Sequence, residues 1–323
     1  MPSSTKTFYK YITPTALAGL LTNGNLKLSL KEDVNDPFEL SPYAHSGLAG
    51  IDKEYGFISL SGSPQISSLW GNYADCYRGA CLEFEFEHLT SLNDKSAEMT
   101  RMGEVMSALH VPLFPFKKRE ARASTSTDDF FNGTCIIKCQ YQTSRVNLSN
   151  YTESYIDTLV RDSSSQSYLN IREKLLNWLK VADVIRTKHI LWHTEDEYRT
   201  FMKLCNASSH QFINGKLMYF TNNLTKYIKR IIISESCAYK KHEIESAIKL
   251  ASKKEETNIR ENIEVIEASF SENHYTLEGI PLSEDAEKRA IDNDNLAQAI
   301  EIFLRCNSEK RKRLLELLQA NNN

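Results

Sequence analysis

An α+β fold is the class this sequence predicts, on three observations. Short runs of alternating apolar and polar residues recur between residues 8 and 270, mixed with helical periodicities but without a regular strand–helix–strand rhythm. No glycine-rich loop follows a strand, so the signature of a doubly wound nucleotide-binding domain is missing. The 323 residues, 41% apolar and 25% charged, suffice for a sizeable core in one large domain or two modest ones.

FYKYI (residues 8–12) is rich in aromatics and stops before Pro14, which makes it a short strand. Thr13 or Thr15 caps a helix over residues 15–21, with Pro14 near its first turn and Asn23-Gly24 ending it. Leu26 and Leu28 alternate with Lys27 and Ser29 as a half-buried strand. NDPFE (35–39) is a loop, because Pro37 restricts Asp36 to extended backbone. YGFISLS (55–61) is a strand with Phe57, Ser59 and Ser61 on one face and Ile58 and Leu60 on the other. Ile66, Leu69, Trp70, Tyr73 and Tyr77 recur at helical spacing, with Gly79 as the C-cap. ACLEFEF (80–86) alternates, with Leu82, Phe84 and Phe86 inward and Glu83 and Glu85 exposed.

Further along, the spacing predicts a helix over 99–109, a polar loop over 117–133 and one or two helices around Leu175, Leu176 and Leu179 within 155–181. Strands are expected at CIIKCQY (135–141), 195–201, 227–234 and ENIEVIEASF (261–270). Helices over 241–251 and near 284–318 complete the chain. A boundary near residue 283 divides an α+β domain (1–282) from a helical extension (283–323), whose Ile302, Phe303, Leu314, Leu315 and Leu318 offer a route to a homo-oligomer.

The net charge of −3, from 39 basic and 42 acidic residues, provides no global field toward nucleic acid or an anionic membrane; a local groove stays open. No run of 18 apolar residues exists, so no membrane partner is expected. The N-terminus lacks the apolar core of a signal peptide. The seven cysteines are scattered, and Cys135 and Cys139 on one strand stand roughly 13 Å apart. That is too far for one disulfide or one tetrahedral zinc. A cytoplasmic protein with free thiols and no metal is the expectation.

HTEDEYR (193–199) carries Glu195 and Glu197 one residue apart. On a strand the two face the same way at roughly 7 Å. Such a pair can divide labour in glycosyl chemistry, one carboxylate steadying a cationic sugar and the other handling the attacking group. The competing reading is a solvated strand face aided by Lys188 and Arg199, and spacing alone favours it; Glu83 and Glu85 repeat the spacing. Lys10, between Tyr9 and Tyr11, can hold a pyrophosphate or be an exposed lysine. Ser59 and Ser61 can bond a ribose or amide, or be plain strand polarity. Trp70 and Tyr73 lie one turn apart as a stacking wall or a core face; Trp70 suits the core while Tyr73 lines a pocket. Asn35 and Asp36 favour Asx turns, and Glu39 meets a helix N-terminus or a cation.

FYKY, NDPFE, LWGNYADCYRGACLEF (69–84) and the stretch from His189 to Arg199 together resemble an uncharacterised bacterial family of unknown function, over about residues 8–250. More remotely, the layout is similar to ADP-ribosyltransferases. That resemblance implies a split mixed β-sheet with flanking helices that holds NAD+ as substrate. It places Lys10, or Tyr11, where an Arg or His normally meets the nucleotide, and Ser59 or Ser61 near the nicotinamide. It gives Glu197 the nicotinamide ribose and Glu195 the acceptor, with Trp70, Tyr73, Asn35 and Asp36 bordering the cleft. The lysine departs from the family pattern.

The resemblance thus implies an NAD+-dependent ADP-ribosyltransferase or NAD+ glycohydrolase, with water, protein or nucleic acid as acceptor and a role in bacterial defence or toxicity. Two alternatives stand beside it. One is a non-catalytic nucleotide- or nucleic-acid-binding module. The other is a nuclease holding a divalent ion with Asp36, Glu39 and Glu195 or Glu197.

Overall fold

The structure is a computed structural model and describes residues 5–41, 51–87, 113–115, 135–154, 157, 166–254, 257–272 and 276–282. The expected helix over 99–109, the polar loop over 117–133, the boundary near 283 and the helical tail lie outside the described residues.

β1 (Thr5–Ile12) opens the fold and runs three residues further upstream than its aromatic run suggests. α1 (Pro14–Asn23) starts where expected: the Thr13 side chain accepts from the Ala16 amide at 3.3 Å, and Pro14 occupies the first turn. Gly24, at φ 68°, closes it by donating to the Leu20 carbonyl. β2 (Leu26–Lys27) is short, with Leu26 and Leu28 buried as the alternation requires. α2 (Ile51–Glu54) leads into β3 (Tyr55–Ser61), and α3 (Ser67–Tyr73) into β4 (Ala80–Glu87). β5 (Leu113–Pro115) and β6 (Cys135–Lys138) follow. The expected strand 135–141 is broken at Cys139, and its second part is β7 (Gln140–Gln142). α4 (Gln166–Arg186) runs past its expected end directly into β8 (Thr187–His189). Then come β9 (Glu197–Lys203), β10 (Ser209–Ile213), β11 (Lys216–Thr221) and β12 (Ile228–Ser234). α5 (Lys241–Ala251), β13 (Glu264–Phe270) and β14 (Leu277–Glu278) end the described chain.

Among the described residues, nine strands form one mixed sheet in the order β14-β13-β12-β4-β1-β3-β9-β6-β5, in which only β12 and β13 pair in parallel. The class is α+β, as the sequence implies. β10, β11 and β2 make a separate three-stranded sheet, and β7 and β8 a parallel pair. β1 pairs with β4 along its whole length but meets β3 at a single register pair, Tyr9 with Ser61. The hydrogen-bonded ladder is therefore interrupted in the middle of the sheet.

Period-2 alternation then fixes three cores. Phe8, Leu82, Phe84, Ile231 and Tyr198 cover one face under α1 and α5, which bury Leu17, Leu20, Ile244 and Ile248 against them. Each such side chain contributes about 1.5–3 kcal/mol. On the opposite face Tyr9, Tyr11, Trp70 and Ile232 form one cluster, and Phe57, Ile137, Trp178 and Phe201 form another under α4. Among the described residues no helix is long and apolar enough to cross a membrane.

Three expectations are corrected. The helix of residues 66–77 ends at Tyr73, because Asp75, Cys76 and Tyr77 all take left-handed backbone (φ 51°, 52° and 68°). Tyr77 returns to stack on Trp70 at 5.5 Å. Gly79 is not a helix cap: a Cβ there would lie 2.0 Å from the Ile12 carbonyl oxygen, so the residue is glycine for close approach to the end of β1. Glu83 is not exposed. It is 1% accessible and paired with Arg230 at 3.2 Å, and burial raises its pKa against the pull of that arginine. Glu85 reaches Lys229 at the sheet surface.

Candidate active site

On the second face of the sheet, polar residues gather between the Tyr11–Trp70 cluster and the Phe57–Trp178 cluster. They line a cavity of about 90 Å³ beside the interrupted β1–β3 ladder. Lys10 and Tyr11 come from β1, Ser59 and Ser61 from β3, and Asn35 and Asp36 from the loop that follows β2. Tyr73 ends α3, while Glu195 and Glu197 flank the entry to β9. These nine predicted site residues thus converge. Trp70, the tenth, is not among the lining side chains. It is 1% accessible, its indole N–H donates to the Pro64 carbonyl at 2.8 Å, and it packs edge-on against Tyr11.

Register explains much of the convergence. β3 and β9 are antiparallel with Ser61 opposite Glu197 and Ser59 opposite Arg199, so all four share one face. The geometry of the glutamate pair differs from the expected strand spacing. Glu195 is the last residue of a 3₁₀ helix (Ile190–Glu195), Asp196 is left-handed at φ 42°, and only Glu197 is in the strand. The turn is fastened by the Ser61 hydroxyl, which donates to the Glu195 carbonyl at 3.0 Å, and by the Gly62 amide on the Asp196 carbonyl.

Both carboxylates are buried and meet on one ammonium. Lys188 Nζ lies 2.5 Å from Glu195 Oε2 and 2.8 Å from Glu197 Oε2. A solvated strand face is excluded. Arg199, 1% accessible, donates through Nε to Glu197 Oε1 at 2.7 Å and through Nη2 to Oε2 at 3.0 Å. The same nitrogen binds Glu39, and the guanidinium lies 4.5 Å from the centroid of the Phe57 ring. The sequence pattern alone casts Lys188 and Arg199 as surface support. Glu197 and Arg199 at i and i+2 on one strand face were the available signal of a buried pair. Trp192, whose ring lies 5.0 Å from Lys188 Nζ, was not foreseen.

The two acids differ electrostatically. Burial alone would raise Glu197, but Arg199 and Lys188 hold it down at about 2, so it is a permanent anion. Burial raises Glu195 above the usual carboxylate range, with Lys188 opposing, and Glu195 accepts a 3.2 Å hydrogen bond from the Tyr73 hydroxyl. Asn35 donates to that hydroxyl at 3.3 Å. Asp36 accepts from the Phe38 amide at 2.9 Å, the expected Asx turn, which presents Glu39 to Arg199. Lys10 is held near 8 by burial, against the attraction of Glu197, and its ammonium has one 3.4 Å hydrogen bond to the Ser59 carbonyl. Tyr11 is structural in part: its hydroxyl donates to the Ser63 carbonyl and accepts from the Ile66 amide.

Among the described residues no three His, Cys, Asp or Glu side chains gather to hold a metal ion, and Glu39 and Glu197 share Arg199. No curated protein and no solved structure matches the chain. The segment that carries Tyr73, Lys188, Glu195, Glu197 and Arg199 does match a family model, and through it the chain carries, over residues 69–200, a domain described as a protein of unknown function (DUF2971).

Proposed function

We propose that this cleft binds NAD+ and breaks its nicotinamide–ribose bond, passing ADP-ribose to water or to a nucleophile on another molecule. The observation that carries the reading is the convergence of Lys10, Ser59, Tyr73 and the two glutamates on one cavity. At about 90 Å³ the cavity is smaller than the roughly 150 Å³ that encloses a single benzene, so it takes only part of one ring of such a ligand, with the remainder outside it. Lys10 is suited to an anionic group at the cleft, having only the Ser59 carbonyl as a hydrogen-bond partner among the described residues.

The electrostatics support a different role for Glu197 from the one the resemblance implies and leave Glu195 with the acceptor. As the C1′–N bond breaks, its electron pair neutralises the nicotinamide ring and leaves positive charge on the ribose. Glu197 is the permanent anion, held by three bonds from the cations Lys188 and Arg199, so it anchors the cluster; Glu195 accepts one bond from Lys188 and one from the neutral Tyr73 hydroxyl. Glu195 takes the proton of the attacking hydroxyl as the new C1′–O bond forms, with Tyr73 orienting it.

Glu195→Gln is expected to keep the fold and NAD+ binding and to lower nicotinamide release by about 100-fold or more. Chromatography of NAD+ incubations measures it, and equal turnover by the variant removes the role. The saturated state of Glu197 favours a second reading, a nucleotide-binding module without chemistry. Saturable NAD+ binding with no nicotinamide released by the wild type would select it.

A further inference from the structure

A second cavity, of about 290 Å³, lies behind the first, and Asp36, Glu39 and Lys188 line both. Its outer wall is made by Phe38 and Arg145. The Phe38 ring is 61% exposed despite its size, and the Arg145 guanidinium sits 5.1 Å from its centroid. Gln142, Thr143 and Ser144 add amide and hydroxyl groups. We infer that this cavity is a nucleotide subsite, with a base stacked on Phe38 and a phosphate on Arg145, and that it presents the acceptor of the first cavity's reaction. The acceptor role rests on the proposed function; the binding itself does not.

The chemistry favours a nucleotide over an acidic peptide. Lys188 is already shared by Glu195 and Glu197, and Arg145 is exposed and makes no ion pair among the described residues. One available cation beside one exposed aromatic ring matches one phosphate beside one base. The hydroxyl and amide groups of residues 142–144 lie where base or sugar edges can be bonded. The volume exceeds that of a benzene-sized cavity about two-fold, enough for a base and part of its sugar. The occupant is either a free nucleotide or one unit of a single strand, because both offer the same base and phosphate.

The full chain is titrated with AMP by calorimetry, and with short labelled oligodeoxythymidylate and oligouridylate by fluorescence anisotropy. Saturable binding of at least one is expected, weakened about 10-fold or more by Phe38→Ala. Arg145→Ala should weaken it too and flatten its salt dependence by about one phosphate contact. Both side chains are exposed, so circular dichroism should show the fold unchanged. Binding of AMP assigns the site to a free nucleotide, and binding of an oligonucleotide without AMP assigns it to a strand. No binding of any of the three, or binding that both variants leave at the wild-type level, overturns the inference. Glu195→Gln is expected to bind like the wild type. Unchanged NAD+ turnover in Glu195→Gln with this binding intact would count against the catalytic proposal alone.

Discussion

Lys10 has a single hydrogen bond among the described residues, in a cleft where Lys188 and Arg199 are each shared between two carboxylates. Its folded pKa, about 8, lies below the ordinary 10.5, so its charge opposes folding wherever it is protonated. That penalty is fully present below pH 8 and fades as the pH rises from about 8 toward 10.5, where the folded state sheds the proton first. Lys10→Met is therefore expected to be more stable than the wild type at pH 7, by about 1 kcal/mol, and to lose that advantage by pH 10. Urea unfolding at the two pH values measures it. A constant difference would show that the ammonium is solvated. The lysine between two tyrosines was visible in the sequence; its near-solitary position was not, because it depends on which groups β3 and β9 bring beside it.

Among elements, the break between α3 and β4 has the largest effect on the site. Three consecutive left-handed residues, none of them glycine, are individually unfavourable by about 1–2 kcal/mol. The Tyr77–Trp70 stack and the bond from the Gly79 amide to the Ala74 carbonyl offset part of this. The turn stops the helix at Tyr73 and so sets the hydroxyl that reaches Glu195. Gly79→Ala puts a methyl against the Ile12 carbonyl and should destabilise the fold by about 2–4 kcal/mol, with a corresponding fall in thermal midpoint. An unchanged midpoint would mean that the turn can shift. Helical spacing from Ile66 to Tyr77 concealed this turn, since Tyr77 meets Trp70 by reversing direction and not by following the helix. By contrast α1 was legible to its caps, because Thr13, Pro14 and Gly24 act on their own neighbours.

At the scale of the molecule, Arg199 ties together parts of the chain that are distant in sequence: β9 through Glu197, the loop after β2 through Glu39, and the end of α4 through the Ile185 carbonyl. Replacing it by Met would leave two buried carboxylates with too little positive charge. The expected loss is about 3–5 kcal/mol at pH 7. The sign with pH follows from Glu197, whose folded pKa is lowered. Its contribution is present above the ordinary value near 4.5 and lost as the pH falls through about 2. In Arg199→Met the carboxylate is expected to take up its proton at higher pH, so the deficit against the wild type should narrow in acid. Denaturant titrations at pH 7 and pH 4 check this, and a deficit independent of pH would assign the loss to packing on Phe57.

The class of fold and most of its strands were readable from the chain, because alternation and capping are local: each is fixed by residues within a few positions of one another. The sequence also supplied members of the cleft, in Lys10, Tyr11, Asn35, Asp36, Ser59, Ser61, Tyr73, Glu195 and Glu197. What those residues are to each other came from the folded arrangement. It turned an expected strand pair into two carboxylates on one lysine and placed Trp70 in the core. It also buried Lys188 and Arg199, which the sequence offered as surface charge. The reason is physical: burial and ion pairing depend on sheet order and on which loops cover which face, and these are set by contacts between residues more than a hundred positions apart.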